Sequence, residues 1–339
     1  MAAALTALRR MWRGHRDMGT VVLAVLTGPL SALFGIGVRA RNLLFDLGVF
    51  RAAPTKIRVV SVGNLAVGGT GKTPVAGWLA RELARKGWKP ALVARGYGDD
   101  EILLHKRWNP DVPVIRAPRR RRGVEEAAAA GCDIVVLDDG FQHRWVARDV
   151  DLVLLSPAHR LPVRLLPRGP FREPLDSLRR AHRVWITAKD PSERDTAMTL
   201  AAGLARLGTR AEVVELAGGP WQDPLGQAAE PPAGAPLVVT SVAEPESFVR
   251  LVEARVGTPV AALGFPDHHP YTRDDATRIA GEAGIRWIAT TEKDAVKLAD
   301  LRELLPPVRV LPLSPRPGLA AASALLESIG LPGSPRRGS

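Results

Sequence analysis

The sequence predicts an α/β fold: a doubly wound parallel sheet, a second and smaller α/β domain, and an N-terminal membrane-associated helical segment. Three observations carry this expectation. Short runs rich in valine and isoleucine, without polar alternation, recur between helical stretches, as for parallel strands buried on both faces. Glycine and proline cluster over residues 218–235 and divide two such series. An uncharged run from Met18 to Val38 precedes them both. The 339 residues, 46% hydrophobic and 24% charged, fit about two globular domains and exclude a disordered or fibrous chain. The single cysteine, Cys132, excludes a disulfide framework and a cysteine-based zinc site.

The N-terminal segment, residues 1–50, opens with Arg9, Arg10, Arg13 and Arg16, and Arg39 and Arg41 close its uncharged run. The run has the ~20 residues a membrane span needs, yet Gly19, Gly28, Pro29, Gly35 and Gly37 interrupt it. A helix lying in the interface, its arginines on anionic headgroups, suits this pattern best. A buried helix pair and a true span stay open. No small-residue cleavage site leads into a mature domain, so a secretory signal is not expected.

A core domain is expected over residues 51–217. Strands are predicted at Ile57–Val62, Ala91–Ala94, Asp133–Leu137, Asp151–Leu155 and Val184–Thr187, with helices at Lys72–Lys86 and Gly123–Ala130. Residues 218–235 read as a linker or hairpin. A smaller domain over residues 236–330 then brings strands at Leu237–Thr240, Val260–Leu263, Trp287–Thr291 and Val308–Leu313. Helices are expected there at Pro245–Arg255 and Arg273–Ala283. Residues 331–339 read as a frayed tail.

The first strand runs into GNLAVGGTGKTP, residues 63–74, and then into a helix. Strand, glycine-rich loop and helix in this order make a phosphate loop, and the core a P-loop NTPase-type domain. Backbone N–H groups over Ala66, Val67, Gly68, Gly69, Thr70 and Gly71 can close on phosphate oxygens. Lys72 can reach the terminal phosphates, Thr73 can ligate Mg²⁺, and the helix N-terminus adds its dipole. Ala66 stands where the strict pattern has glycine. The motif implies a nucleoside triphosphate and is silent on the acceptor.

Strand Asp133–Leu137 ends in Asp138-Asp139-Gly140-Phe141-Gln142-His143-Arg144. Acids at the carboxyl end of a parallel strand beside a phosphate loop sit where they help hold Mg²⁺. The charge balance, 47 basic against 35 acidic for a net +12, draws polyanions. Nucleic acid is not the expected partner: no zinc finger, RNA motif or heptad accompanies the charge, and two tyrosines and seven phenylalanines make few stacking platforms. The cluster Arg116, Arg119, Arg120, Arg121 and Arg122 reads as a solvated face that can also meet an anionic bilayer.

The segments RARNLLFDLG (39–48), VVSVGNLAVGGTGKTP (59–74), ARGYG (94–98), VLDDGFQHR (136–144), RDVDLVLL (148–155), LLPRGPFREPL (165–175), GFPDHHPYT (264–272) and TTEKDAVKL (290–298) occur in this order. Together they resemble the tetraacyldisaccharide 4′-kinases of lipid A biosynthesis over nearly the whole chain. The resemblance implies a two-domain enzyme on the cytoplasmic face of the inner membrane. It would use ATP and Mg²⁺ to phosphorylate the 4′-hydroxyl of an acylated glucosamine disaccharide 1-phosphate. Asp100 then matches the family's base, with Asp99 competing because a short family insertion is missing before them. Glu101 matches its magnesium-side carboxylate, beside Thr73, Asp138 and Asp139. His268 matches the histidine paired with the base, and Arg172 an arginine suited to the transferring phosphoryl group. Asn64, Gln142 and His143 are expected on the substrate side. The competing function is a P-loop GTPase or ATPase accessory factor acting as a hydrolysis switch. Against it, Thr291-Glu292-Lys293-Asp294 has Glu where a guanine reader needs Asn.

Overall fold

The computed structural model describes residues 7–332 except 9, 13, 16, 97–99, 283 and 331. Arg9, Arg13, Arg16, Asp99 and nearly all of the expected tail lie outside the described residues.

Helix α1 (Met18–Asp46) is continuous and runs past Arg39 and Arg41. Asp17 caps it, its carboxylate accepting the Thr20 N–H at 2.9 Å. The glycines that read as interruptions serve packing in at least one place. A Cβ on Gly35 would stand 2.9 Å from Leu165 Cδ1, and nearby Ser31 Oγ donates to the Leu165 carbonyl at 2.8 Å. The most apolar stretch of α1 has a mean hydropathy of 2.1 and is only 11% buried, so the helix is not a buried pair member. Its C-terminal end is tied down. Arg41 and Asn42 donate to the fully buried Glu173 carboxylate at 3.1 and 2.9 Å, where Arg180 joins them at 2.6 Å.

The core domain follows as β1 (Arg58–Asn64), α2 (Lys72–Arg85), β2 (Pro90–Ala94), α3 (Asp100–Trp108), β3 (Val114–Arg116), α4 (Arg120–Ala129), β4 (Ile134–Asp138), β5 (Val150–Leu155), β6 (Arg183–Ala188), α5 (Arg194–Arg206) and β7 (Glu212–Gly218). The smaller domain holds β8 (Leu237–Thr240), α6 (Pro245–Val256), β9 (Ala261–Gly264), α7 (Arg273–Ala280), β10 (Ile288–Thr290), α8 (Glu292–Leu298) and β11 (Val308–Val310). Then come β12 (Leu313–Arg316) and α9 (Leu319–Ile329). The large sheet runs β12-β7-β6-β5-β1-β4-β2-β3 and the small one β11-β10-β8-β9. Every pairing is parallel except β12 with β7. Strands β1, β2, β4 and β5 are buried along their full length, as valine-rich runs without alternation require.

The expected boundaries need two corrections. The chain returns to the large sheet through β12, and Ala321, Leu325 and Ile329 of α9 pack with Leu79, Leu83 and Trp185 in its core. The smaller domain therefore ends near residue 311. The predicted strand Val308–Leu313 divides at Pro312, and Pro315 is tolerated because β12 is an edge strand. Nor is 218–235 a loose linker: Trp221 packs edge-on against Trp287, centroids 5.3 Å apart, inside the smaller domain's core. The chain crosses between the domains twice, side by side, where the Gly219 N–H donates to the Pro312 carbonyl at 2.9 Å.

Candidate active site

β1 lies between β4 and β5, so the loop leaving its C-terminal end emerges in a crevice between neighbouring strands. A cavity of about 590 Å³ opens there, between the two domains. Val67, Gly68, Gly69, Thr70, Gly71, Lys72 and Thr73 line it. Gly71 ends the loop at φ 74°, a left-handed conformation, and a Cβ there would stand 2.3 Å from Leu216 Cδ1. Both facts demand glycine.

Two expected residues stand behind the loop instead of in the cavity. Ala66 is fully buried and bridges its backbone to Phe171, which narrows the loop lining to Val67–Thr73. Asn64 is fully buried too; its Nδ2 donates to Thr70 Oγ1 at 3.0 Å, and its carbonyl accepts from Gln142 Nε2 at 2.7 Å. Asn64 braces the loop where a substrate contact was expected. Gln142 and His143 do line the cavity. Burial, reinforced by Arg120, brings His143 down to about 4, so it is neutral at pH 7.

Asp139 follows β4 with φ 56° and is tied to two cations. Arg172 Nη1 lies 3.0 Å from its Oδ2, and Lys72 Nζ 3.9 Å from its Oδ1. Burial pushes the Asp139 carboxyl up, but Lys72 and then Arg172 outweigh it and hold the group below its usual range. Its carboxylate is thus paired with two cations, and it lines the cavity with them. Asp138 Oδ2 accepts from His105 Nε2 at 2.9 Å, inside the protein.

Glu101, Asp138 and Thr73 line one cavity. Burial first and the Asp138 charge second push Glu101 up to about 7. Crowded carboxylates with this surplus of negative charge suit a hard divalent cation. Mg²⁺ is an ion commonly bound through one or two carboxylates and substrate phosphates, and Glu101 and Asp138 beside Thr73 could supply the carboxylates.

Folded Glu101 keeps its proton up to about pH 7, whereas in the unfolded chain it ionises near 4.5. Its contribution to stability is whole below 4.5 and is lost as pH rises through 7. Glu101→Gln, neutral throughout, should show a smaller fall in Tm between pH 5 and pH 8 than the parent, measured in chelator. Parallel Tm profiles for the two proteins would contradict the shift.

Asp100 opens α3 and its side chain is buried. Oδ1 accepts the Glu101 N–H at 2.9 Å, while Oδ2 is buried without a hydrogen-bond partner. From the smaller domain, His268 Nδ1 comes within 3.3 Å of that oxygen and Lys293 Nζ within 3.7 Å. Burial raises the Asp100 carboxyl, and His268 and Lys293 together outweigh it, so the group lies below its ordinary value. Among the described residues, His268 (φ 60°) and Asp139 are the two non-glycine residues with positive φ, and both line this cavity. Backbone strain of this kind gathers where a fold must aim a side chain.

The family model described as tetraacyldisaccharide-1-P 4′-kinase (LpxK) matches residues 23–101 and 98–329. The chain belongs to this kinase family. It is 37% identical to the tetraacyldisaccharide 4′-kinase of Anaeromyxobacter sp. (strain Fw109-5), over 88% of this chain and 89% of that one. It is 38% identical to the kinase of Halorhodospira halophila, over 88% and 91%. The LpxK of Aquifex aeolicus, solved in complex with ATP, superposes with a TM-score of 0.70 at 25% identity, covering 91% of this chain and 98% of that structure.

Three residues of this kinase escaped the sequence reading. Lys293 lies in TTEKDAVKL, a segment that carries the family resemblance but gave this lysine no role of its own; its neighbour Asp294 turns away from the cavity, accepting from Thr240, Ser241 and Thr291 in the smaller domain's core. Arg120 sat in the basic run expected to be solvated. It is buried and donates to the Asp138 carbonyl at 2.9 Å, while Arg116, Arg119, Arg121 and Arg122 are exposed. His105 carried no signal, being one polar residue in an ordinary amphipathic helix.

Proposed function

We propose that this protein transfers the γ-phosphoryl group of ATP to the 4′-hydroxyl of tetraacyldisaccharide 1-phosphate through the residues gathered in this cavity. The N–H groups of Val67–Thr73 and the N-terminus of α2 take the phosphates. Lys72 and Arg172, held in place by Asp139, meet the negative charge of the transferring group. A magnesium ion held by Thr73, Glu101 and Asp138 would neutralise phosphate charge when bound. The sugar 4′-oxygen attacks the γ-phosphorus, the bond to the β–γ bridging oxygen breaks, and ADP leaves. The hydroxyl proton passes to Asp100. Gln142 and His143 border the acceptor. The observation that carries this reading is Asp100 Oδ2, buried without a hydrogen-bond partner and 3.3 Å from His268 Nδ1 of the other domain, a histidine that lines one cavity with the phosphate loop.

The test is label transfer from γ-labelled ATP to the disaccharide 1-phosphate in detergent micelles. Label is expected on the lipid, with turnover requiring it. Nucleotide hydrolysis at the same rate without lipid would favour the switch instead.

The acylated acceptor also gives α1 a purpose. Val25, Leu26, Leu30 and Leu33 are exposed along it, and the helix lies on the cytoplasmic face of the inner membrane with the exposed Arg39 near anionic headgroups. Full-length protein should float with anionic liposomes, and a chain lacking residues 1–40 should not. Release of the full-length protein by 1 M salt would mark an interfacial helix, because salt screens headgroup attraction but not a span. Sedimentation of the full-length chain without any lipid bound would count against membrane association.

A further inference from the structure

We infer that Lys293 is a positioning residue that fixes the tautomer of His268 and so decides which ring nitrogen faces Asp100. The inference deepens the kinase reading and takes its consequence from that reading, but its geometry stands alone. Lys293 projects from α8 of the smaller domain. Its Nζ stands 3.1 Å from His268 Nε2, 3.7 Å from Asp100 Oδ2 and 3.8 Å from Asp267 Oδ1. Only the first of these is a hydrogen-bond distance.

An ammonium has three donors and no acceptor. At 3.1 Å, Nε2 must therefore receive the hydrogen bond, and a ring nitrogen that receives one carries no proton. The proton of neutral His268 then sits on Nδ1, the atom 3.3 Å from Asp100 Oδ2. The opposite tautomer would put an N–H against the ammonium, and the imidazolium would put two like charges 3.1 Å apart. A histidine's reactive nitrogen is commonly set by the bond its other nitrogen makes; here a lysine makes it. The left-handed backbone of His268 holds the ring between the two partners at a conformational cost.

The arrangement has a catalytic use. Asp100 Oδ2 has no hydrogen bond of its own in this structure. With Nδ1–H beside it, the carboxylate is steered by a donor that cannot take its proton away, and one lone pair stays open to the acceptor hydroxyl. The wrong tautomer would aim a lone pair at the carboxylate instead. Lys293 and His268 come from the smaller domain and Asp100 from the larger, so the three assemble only across the cleft.

Long-range ¹H–¹⁵N spectra of the full-length protein in micelles, with its seven histidines labelled, read the tautomer directly. His268→Asn assigns the signal. At pH 8, His268 should show the Nδ1–H pattern. Lys293→Met should move it toward Nε2–H and lower kcat by at least about 10²-fold, the lower end of what a positioned base contributes. KM for ATP should change little. Lys293→Arg, which keeps the donors and the charge, should restore both the spectrum and most of kcat. An Nε2–H or doubly protonated His268 in the parent overturns the inference, as does an unchanged spectrum in Lys293→Met. Neither result touches the label-transfer assay, so this inference and the kinase reading can fail separately.

Discussion

Lys72→Ala is expected to lower phosphoryl transfer by about 10³-fold, the upper end for losing one donor aimed at developing charge. The side chain leaves the first residue of α2 and points into the cavity, where Asp139 is its only close ion-pair partner among the described residues. Removing it leaves Asp139 with Arg172, a pair already at 3.0 Å. The cost to folding should stay within about 1 kcal/mol, as for a partly exposed ion pair, and the thermal melt should barely move. Nucleotide would still enter the loop, whose N–H groups do not depend on this side chain. The loss should therefore fall mainly on kcat. Label transfer by the purified variant at saturating ATP measures it. Near-parental turnover from a protein with a parental melt would remove Lys72 from the mechanism.

What could be read ahead of the structure was whatever lies together along the chain. The phosphate loop is strand, loop and helix in sequence, and the acid pair Asp138-Asp139 ends the strand beside it, so both were legible as local patterns. The two acids then part in space. β4 ends at Asp138, which stays in the interior on His105, while the left-handed Asp139 swings to Lys72 and Arg172. No spacing rule separates them. Asn64 and Ala66 sit in the motif and look equivalent to their neighbours; in the fold Asn64 turns to Thr70, Ala66 bridges to Phe171, and neither lines the cavity. The fold's least legible feature is the return of β12 and α9 to the large sheet. Its cue is Pro312, a break inside what reads as one apolar strand. That return also sets the site, since the paired crossings at Gly219 and Pro312 bring His268 and Lys293 over Asp100. Distance along the chain hid Lys293 for the same reason.

Asp100→Asn carries the second large expectation: kcat should drop by about 10²- to 10⁴-fold, the range of a positioned general base. Affinity for ATP should hold, because the carboxylate acts on the acceptor's proton and not on the phosphates. Asparagine keeps the shape, and its oxygen can still accept the Glu101 N–H that Oδ1 accepts at 2.9 Å, so the start of α3 should stay folded. His268→Ala should cost a comparable amount. The double variant should cost far less than the two losses multiplied, since residues acting as one unit are not additive. Losses that multiply in full would mean that the two act independently, with the 3.3 Å contact incidental. Asp99→Asn is the control, one residue away along the chain. It should be mild. A crippling Asp99→Asn beside a mild Asp100→Asn would shift the base by one residue. Mild effects from both would turn attention to Asp138, because Asp139 is already committed to Lys72 and Arg172. Contact between the domains enters every one of these outcomes. Asp100 and His268 lie on opposite sides of the paired crossings yet meet at 3.3 Å, so a change that loosens those crossings should slow the same step that Asp100→Asn slows.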